Sequence, residues 1–276
     1  MEENKKRKRN MVKICLLCCL AYFAGYLTRI DYAAVLVEII DDLQVTKDTA
    51  SIAVTGSFIT YAIGLLISGW IGDRIAPRKL IAVGLLGTSL INLLMPLMPD
   101  ITLMTVFWCF NGFFQSMLWP PIVRIMAEHL DYDGFYAKAI VYVSSATSAA
   151  TIFVRCFLAP VTVHLSGWRP LFFMCGGAGF LIVFLWLLGT RSIKGDGKAK
   201  IAGEPTGRVS VKTLAASGVF VFTVGIVLQG MLKDGIDTWM PTYVSEVFGL
   251  GNSVSILTSG ILPVFRIFSV SVASVL

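Results

Sequence analysis

The apolar residues of this 276-residue chain come in long runs, not in the alternating stripes of a water-soluble core. A bilayer-crossing helix needs ~20 mostly apolar residues. Eight runs of that order lie near 14–37, 49–72, 79–98, 102–126, 137–163, 169–190, 214–241 and 253–276. A bilayer offers no water to the backbone, so each run is expected to be helical. A stretch over 191–211, polar and broken by Pro205, divides six runs from the last two. The pattern predicts an all-α membrane protein in four parts: a basic arm (1–13), a six-helix bundle (14–190), a cytoplasmic linker (191–211) and the first two helices of an incomplete second bundle (212–276).

Composition excludes the soluble alternatives. Hydrophobic residues make up 56% of the chain and charged residues 14%, with a mean hydropathy of +0.77, where a soluble domain carries roughly 25% charged residues. A disordered chain would be less hydrophobic and more charged. The first run follows basic residues as a secretory leader does, but it is longer than a leader core and contains Arg29 and Asp31, so it is expected to stay as a span.

The net charge of +6 does not point to nucleic acid, because the bases sit in short loops. Lys5, Lys6, Arg7, Lys8, Arg9 and Lys13 precede the first run, and six more lie between Arg191 and Lys212. With alternate loops on opposite sides, 17 of the 23 Lys and Arg share the side of the arm, two (Lys47 and Arg169) lie opposite and four fall within spans. That asymmetry predicts a multi-pass protein of the cell membrane with a cytoplasmic N-terminus. The six cysteines lie inside apolar runs and read as free thiols. Cys15 and Cys18 have a C-x-x-C spacing without the strand of a redox scaffold, and His129 and His164 are far apart for a metal site. No metal, cofactor or enzymatic constellation is expected.

An internal repeat points to transport. Ser51, Ile52, Thr55 and Gly56 recur 204 residues later as Ser255, Ile256, Ser259 and Gly260, and basic Arg29 recurs as Lys233. Parallel halves of six helices, with a ligand on the axis between them, form one large transporter class. The same offset puts the equivalent of Asp73 at position 277, one past Leu276, so roughly four helices of a second half are expected to be missing.

Three stretches carry a family resemblance. Gly69-Trp70-Ile71-Gly72-Asp73-Arg74-Ile75-Ala76-Pro77-Arg78-Lys79 falls on the turn after the second run. It resembles the major facilitator superfamily signature G-x3-D-R-x-G-x-R-K, with Ala76 in place of the second glycine. The segment from Asn111 to Pro121, followed by Arg124, is similar to the F-Q-x-x-x-W-P-P-x-x-R segment of the organophosphate:phosphate antiporters. Lys233 to Tyr243 is similar to that family's R-x-G-x-x-x-W-x-P-T-Y. The resemblance implies the major facilitator fold and alternating-access exchange of glycerol-3-phosphate or a sugar phosphate for phosphate, by a monomer when full length. It also implies a conformational gate of Gly69, Asp73, Arg74, Arg78 and Lys79, and a phosphate clamp of Arg29 and Lys233. A plain positive-inside turn explains Arg74, Arg78 and Lys79 but neither Asp73 nor Gly69.

The residues themselves lead to the same place. An ionisable group at mid-membrane costs ~2.5 to 3.5 kcal/mol on insertion scales, so it marks function by default. Arg29 shares a helix face with Tyr22, Tyr26 and Tyr32, and Lys233 with Gln229 and Asp237. The alternatives are a structural ion pair of Arg29 with Asp31 or with another helix, and neutralisation of Lys233 by Asp234 or Asp237. Ser144, Ser148, Thr151 and Arg155 form a polar stripe, either a cavity wall that brings Arg155 to the ligand or a packing face. The candidate substrate-binding set is thus Arg29, Lys233, Tyr26, Tyr32, Ser148, Arg155 and Gln229.

Departures from the family pattern keep other functions open. Lys233 stands where the family has arginine, and a lysine is a point charge without the bidentate fork. Ser148 and Ile30 stand where the family has histidine and lysine. Arg29, Arg155 and Lys233 are balanced by Asp31, Asp234 and Asp237, a neutrality that suits a zwitterion, or a carboxylate or sugar acid moved with protons through an acid such as Asp31. A transporter-like sensor of sugar phosphate and an inactive truncated transporter are the remaining readings. Arg266 has no assigned role, and Glu128 to Tyr136 reads as a solvated cytoplasmic loop.

Overall fold

The computed structural model describes residues 2–72, 74–132, 134–191, 219–249 and 252–265. Asp73, the linker from 192, the start of the seventh predicted span and Arg266 lie outside the described residues.

The described chain is helical throughout. Its elements are α1 (Glu2–Ala34), α2 (Leu36–Leu43), α3 (Lys47–Gly72), α4 (Pro77–Leu94), α5 (Ile101–Gln115), α6 (Trp119–Leu130), α7 (Phe135–Ile152), α8 (Ala159–Ser166), α9 (Arg169–Gly189), α10 (Val219–Phe248) and α11 (Asn252–Ser259). Among the described residues, six stretches are long and apolar enough to cross a membrane: Asn4–Ala34, Lys47–Gly72, Pro77–Leu97, Ile101–Leu130, Phe135–Ser166 and Arg169–Gly189. They match the first six predicted runs. The 30-residue α10 follows, with Lys233, Asp234, Asp237 and Glu246 from its midpoint onward, and the apolar helix Val254–Phe265 belongs to the eighth run.

Boundaries differ from the sequence reading where local chemistry decides them. The basic arm continues α1 as helix from Glu2, and Arg7 packs on the Tyr132 ring at 4.1 Å. Glu128 and His129 belong to the last turn of α6, so the loop expected from Glu128 begins only after Leu130. Pro77 opens α4, where its missing N–H costs nothing. Asp100 caps α5, accepting from Thr102 N at 2.8 Å and Leu103 N at 2.9 Å.

Proline breaks the backbone hydrogen bonding of three of the long helices. Pro120 and Pro121 split the fourth span into α5 and α6. Pro120 has no N–H for the Ser116 carbonyl, and Ser68 Oγ of α3 donates to that oxygen at 3.2 Å. Pro160 has none for Cys156, and the fifth span widens into a π turn over Phe153–Leu158 just before it. Pro241 lies inside α10 and leaves the Asp237 carbonyl open, which Arg155 Nη2 of the π turn takes.

The packing is that of a membrane bundle, with apolar side chains outward and small polar ones between helices. Leu66 is 79% exposed and Leu165 73%, while Thr28, Ser89 and Asn92 are fully buried. The Thr28 carbonyl of α1 accepts from Asn92 of α4 at 3.1 Å and from Asn111 of α5 at 2.9 Å, and Gln115 donates to the Gly25 carbonyl at 2.8 Å. α3 and α5 run side by side because Gly112 lets the Ser57 carbonyl approach, and Thr60 Oγ1 donates to Cys109 O at 2.6 Å. Gly260, in the sequence repeat, likewise lies against the Cys156 sulfur of the π turn.

A side chain at Gly112 would occupy the place of the Ser57 carbonyl. Gly112→Val is expected to destabilise the bundle by about 2 kcal/mol through overpacking. Thermal unfolding of the variant in detergent, beside Gly177→Val at an open position, checks this, and equal melting temperatures refute it.

Candidate functional site

Between α1, α3, α5, the π turn and α10 lies a half-open cleft of about 680 Å³. Arg29, Arg155 and Lys233 line it, together with Asp234 and Asp237. Its walls include Tyr26, Tyr32, Tyr61, Asn111 and Gln115.

Arg29 projects from near the C-terminal end of α1 and is held from three sides. Its guanidinium lies over the Tyr61 ring at 5.0 Å and near the Tyr26 ring at 5.7 Å, cation–π contacts that favour charge in a poorly hydrated place. Its Nη2 meets Asp234 Oδ2 at 3.2 Å, while Lys233 Nζ lies 3.5 Å from the other oxygen of the same carboxylate. The two cations related by the sequence repeat therefore converge on one acid.

Asp31 is elsewhere. The Arg29–Asp31 pair weighed from sequence does not form. Asp31 is buried, its Oδ1 accepts from Tyr32 N at 2.9 Å, and its Oδ2 has no hydrogen-bond partner among the described residues. It is not among the residues lining the cleft. The lining charge is thus three cations against two carboxylates, where the sequence suggested balance.

Arg155 reaches the cleft through the π turn and is 1% exposed. It donates to the Asp237 carbonyl of α10 and, at 3.4 Å, to the Ser259 carbonyl of α11. Its role joins two alternatives held apart in the sequence: it lines the cavity and locks helices together. The rest of its stripe is packing. Ser148 is 1% exposed and absent from the lining, and Thr151 spends its hydroxyl on the Thr147 carbonyl at 2.8 Å.

Gln229 is exposed on α10 and outside the lining. Tyr32 stacks on Trp108 at 4.9 Å and donates to Ala50 O at 3.2 Å, so it contributes its ring more than its hydroxyl. Tyr61, Asn111 and Gln115 were not anticipated as cleft residues. For Tyr61 the available signal was Ser57 four residues earlier, a polar face on an apolar span.

At the basic end, the turn between α3 and α4 is tied to its neighbours. Arg74 lies over the Trp70 ring at 3.6 Å, Arg78 Nη2 donates to the Leu187 carbonyl of α9 at 2.9 Å, and Trp186 Nε1 donates to Arg78 O at 3.0 Å. Arg124 donates to Gly72 O at 2.6 Å and pairs with Glu128 at 2.8 Å. A guanidinium on the last carbonyl of α3 also meets the negative end of its dipole. Lys79 is exposed, and a Cβ on Gly69 would meet nothing within 4 Å. At the opposite end, Lys47 of α3 pairs with Glu246 of α10, and Arg169 pairs with Asp42 at 2.8 Å.

A multi-pass helical bundle with buried polar seams and a cationic cleft between its helices has the architecture of a membrane transporter. The chain belongs to the Major Facilitator Superfamily, whose sequence profile matches residues 14–276. It is 30% identical over 183 residues to a probable hexose phosphate transport protein of Chlamydia trachomatis, covering 65% of this chain and 40% of that one. It is 25% identical over 272 residues to a glycerol-3-phosphate transporter of Bacillus subtilis, covering 88% and 59%. These relatives fit the organophosphate:phosphate antiporter resemblance and are transporters, not enzymes. The chain thus spans between 40% and 59% of the length of these two relatives. The fold is shared with an inward-facing, unoccupied bacterial homolog of the human lysosomal transporter Spinster, at a TM-score of 0.72 and 16% identity over 92% of this chain and 60% of that one.

The lining makes a prediction that separates cavity from packing. In a variant without native cysteines, Tyr61→Cys is expected to react with a water-soluble maleimide at least about tenfold faster than Ser148→Cys, whose position is sealed between helices. Equal rates would remove Tyr61 from the cavity wall.

Proposed function

We propose that this chain belongs to a carrier that moves a small organophosphate, glycerol-3-phosphate or a sugar phosphate, in exchange for phosphate by alternating access. The observation that carries this reading is the meeting of Arg29 and Lys233 on one carboxylate. Two cations from the two halves hold an anion between them, and the anion here is Asp234. A phosphate group that displaces Asp234 gains both cations, and its binding energy favours the state in which the halves close around it. Arg29 supplies a planar fork and Lys233 a point charge. The pair Lys47–Glu246 closes the end away from the arm, and the Arg74, Arg78, Lys79 turn, with Asp73 and Gly69, forms the gate at the basic end. The excess of Lys and Arg at that end supports a cytoplasmic side for it, with the protein in the cell membrane.

Purified full chain in phosphate-loaded vesicles is expected to take up labelled phosphate and to bind glycerol-3-phosphate. Arg29→Gln should weaken binding roughly 10- to 100-fold, the range for a charge-assisted hydrogen bond. Asp234→Asn removes the internal competitor and should tighten phosphate binding several-fold. Weaker binding in Asp234→Asn would mean that the acid orients the ligand and does not compete with it. Binding without flux would replace the carrier with a sensor, and unchanged affinity in a folded Arg29→Gln protein would sink the clamp.

A further inference from the structure

A second cavity, of about 1160 Å³, opens at the basic end of the bundle and shares no residue with the solute cleft. The first turn of α4 supplies Arg78 and Lys79, the end of α6 supplies Glu128 and His129, and α9 supplies Leu187. We propose that this cavity binds an anionic phospholipid, with the phosphate at Arg78 and Lys79 and the acyl chains along α4 and α9.

The charge at its mouth is positive. Arg78 is fixed on the wall by its bond to Leu187 O, which leaves the rest of the guanidinium fork available. Lys79 is exposed and makes no ion pair with a described residue. Glu128 is the one acid of the lining, and its carboxylate is engaged by Arg124 at 2.8 Å. His129 Nδ1 faces the Ile125 carbonyl at 3.2 Å, so its Nε2 edge is left for the cavity. Two bases at the level where an apolar bundle meets water are placed to hold a headgroup.

The apolar part excludes a free anion as the natural occupant. Ala76, Pro77, Ala82, Val83, Ile125 and Leu187 form the rest of the lining, a surface that hydrated phosphate would leave wet. This surface continues away from the mouth. Val83, Leu86 and Leu90 follow each other on one face of α4, at 49%, 45% and 49% exposure, and Phe184 lies one turn deeper than Leu187 on the adjacent α9. Fixed positive charge above and an open apolar groove below match a molecule with a phosphate head and hydrocarbon tails. The site also reaches the α3–α4 turn through Arg78, so a bound lipid would brace that turn against α9.

The test is lipid retention by the full chain, released from mild detergent and weighed by native mass spectrometry with phosphatidylglycerol or phosphatidylcholine of identical chains. Phosphatidylglycerol is expected to be retained at least about fivefold better, near the attraction of one base for an anionic surface. Lys79→Gln, an exposed change that leaves the fold intact, should reduce that preference by about the same factor, and Arg78→Gln should reduce it as well. Val83→Glu should abolish retention by blocking the groove without removing a base. Equal retention of the two lipids overturns the proposal, as does an undiminished preference in Lys79→Gln. Displacement of phosphatidylglycerol by millimolar inorganic phosphate would mark a free-anion site and equally overturn it. Transport is not part of the readout, so either outcome leaves the Arg29–Lys233 clamp to its own test.

Discussion

A peptide carbonyl inside a bilayer has no water to bond, and leaving it bare costs several kcal/mol. Much of this structure follows from where carbonyls lose their helical donors and who replaces them. Pro120 opens Ser116 O and Ser68 fills it. Pro241 opens Asp237 O and Arg155 fills it. The end of α3 leaves Gly72 O to Arg124, and the end of α9 leaves Leu187 O to Arg78. Each replacement comes from a different helix, so backbone defects become the fasteners of the bundle. Helix association in lipid lacks the hydrophobic drive of a soluble core, and such bonds set register where apolar packing alone is permissive.

The same rule builds the cleft. Asn92 and Asn111 are spent on the Thr28 carbonyl and Gln115 on Gly25, and these bonds hold α1 with Arg29 turned inward to Tyr61 and α10. Arg155 can line a cavity inside a membrane because α10 and α11 offer it carbonyls, which spares it the cost of a bare buried cation. The site is therefore a product of the seams between helices, and no single helix carries it.

The sequence disclosed the spans, and singled out Arg29 and Lys233 as candidates, because apolar length and an isolated charge are properties of one stretch at a time. Apolar run length depends on bilayer thickness, and Arg29 and Lys233 stood out by cost alone. What stayed hidden depended on pairs. Asp31 is two residues from Arg29, yet the helix turns it away and Arg29 finds Asp234 instead. Ser148 and Arg155 share a stripe on a regular helix, but the π turn ahead of Pro160 changes the register and carries Arg155 into the cleft, leaving Ser148 in the packing. Arg124 stood in the sequence as the last residue of a family segment, and only the placement of α6 against α3 shows it on the Gly72 carbonyl. Gln229, placed by helical spacing beside Lys233, is exposed and outside the cleft lining.

The unequal charge of the cleft has an electrical consequence. Among the described lining residues, three cations and two carboxylates leave one net positive charge. A monoanion would cancel it and a dianion would reverse it. In the proposed carrier, a switch of access between the two ends would move that charge across part of the membrane potential, at up to about 2.3 kcal/mol per charge per 100 mV. Voltage would then push the empty and the dianion-loaded forms in opposite directions and ignore the monoanion-loaded one. The protonation of the ligand's own phosphate, more than any residue of the chain, would decide how strongly the cell's potential drives the cycle.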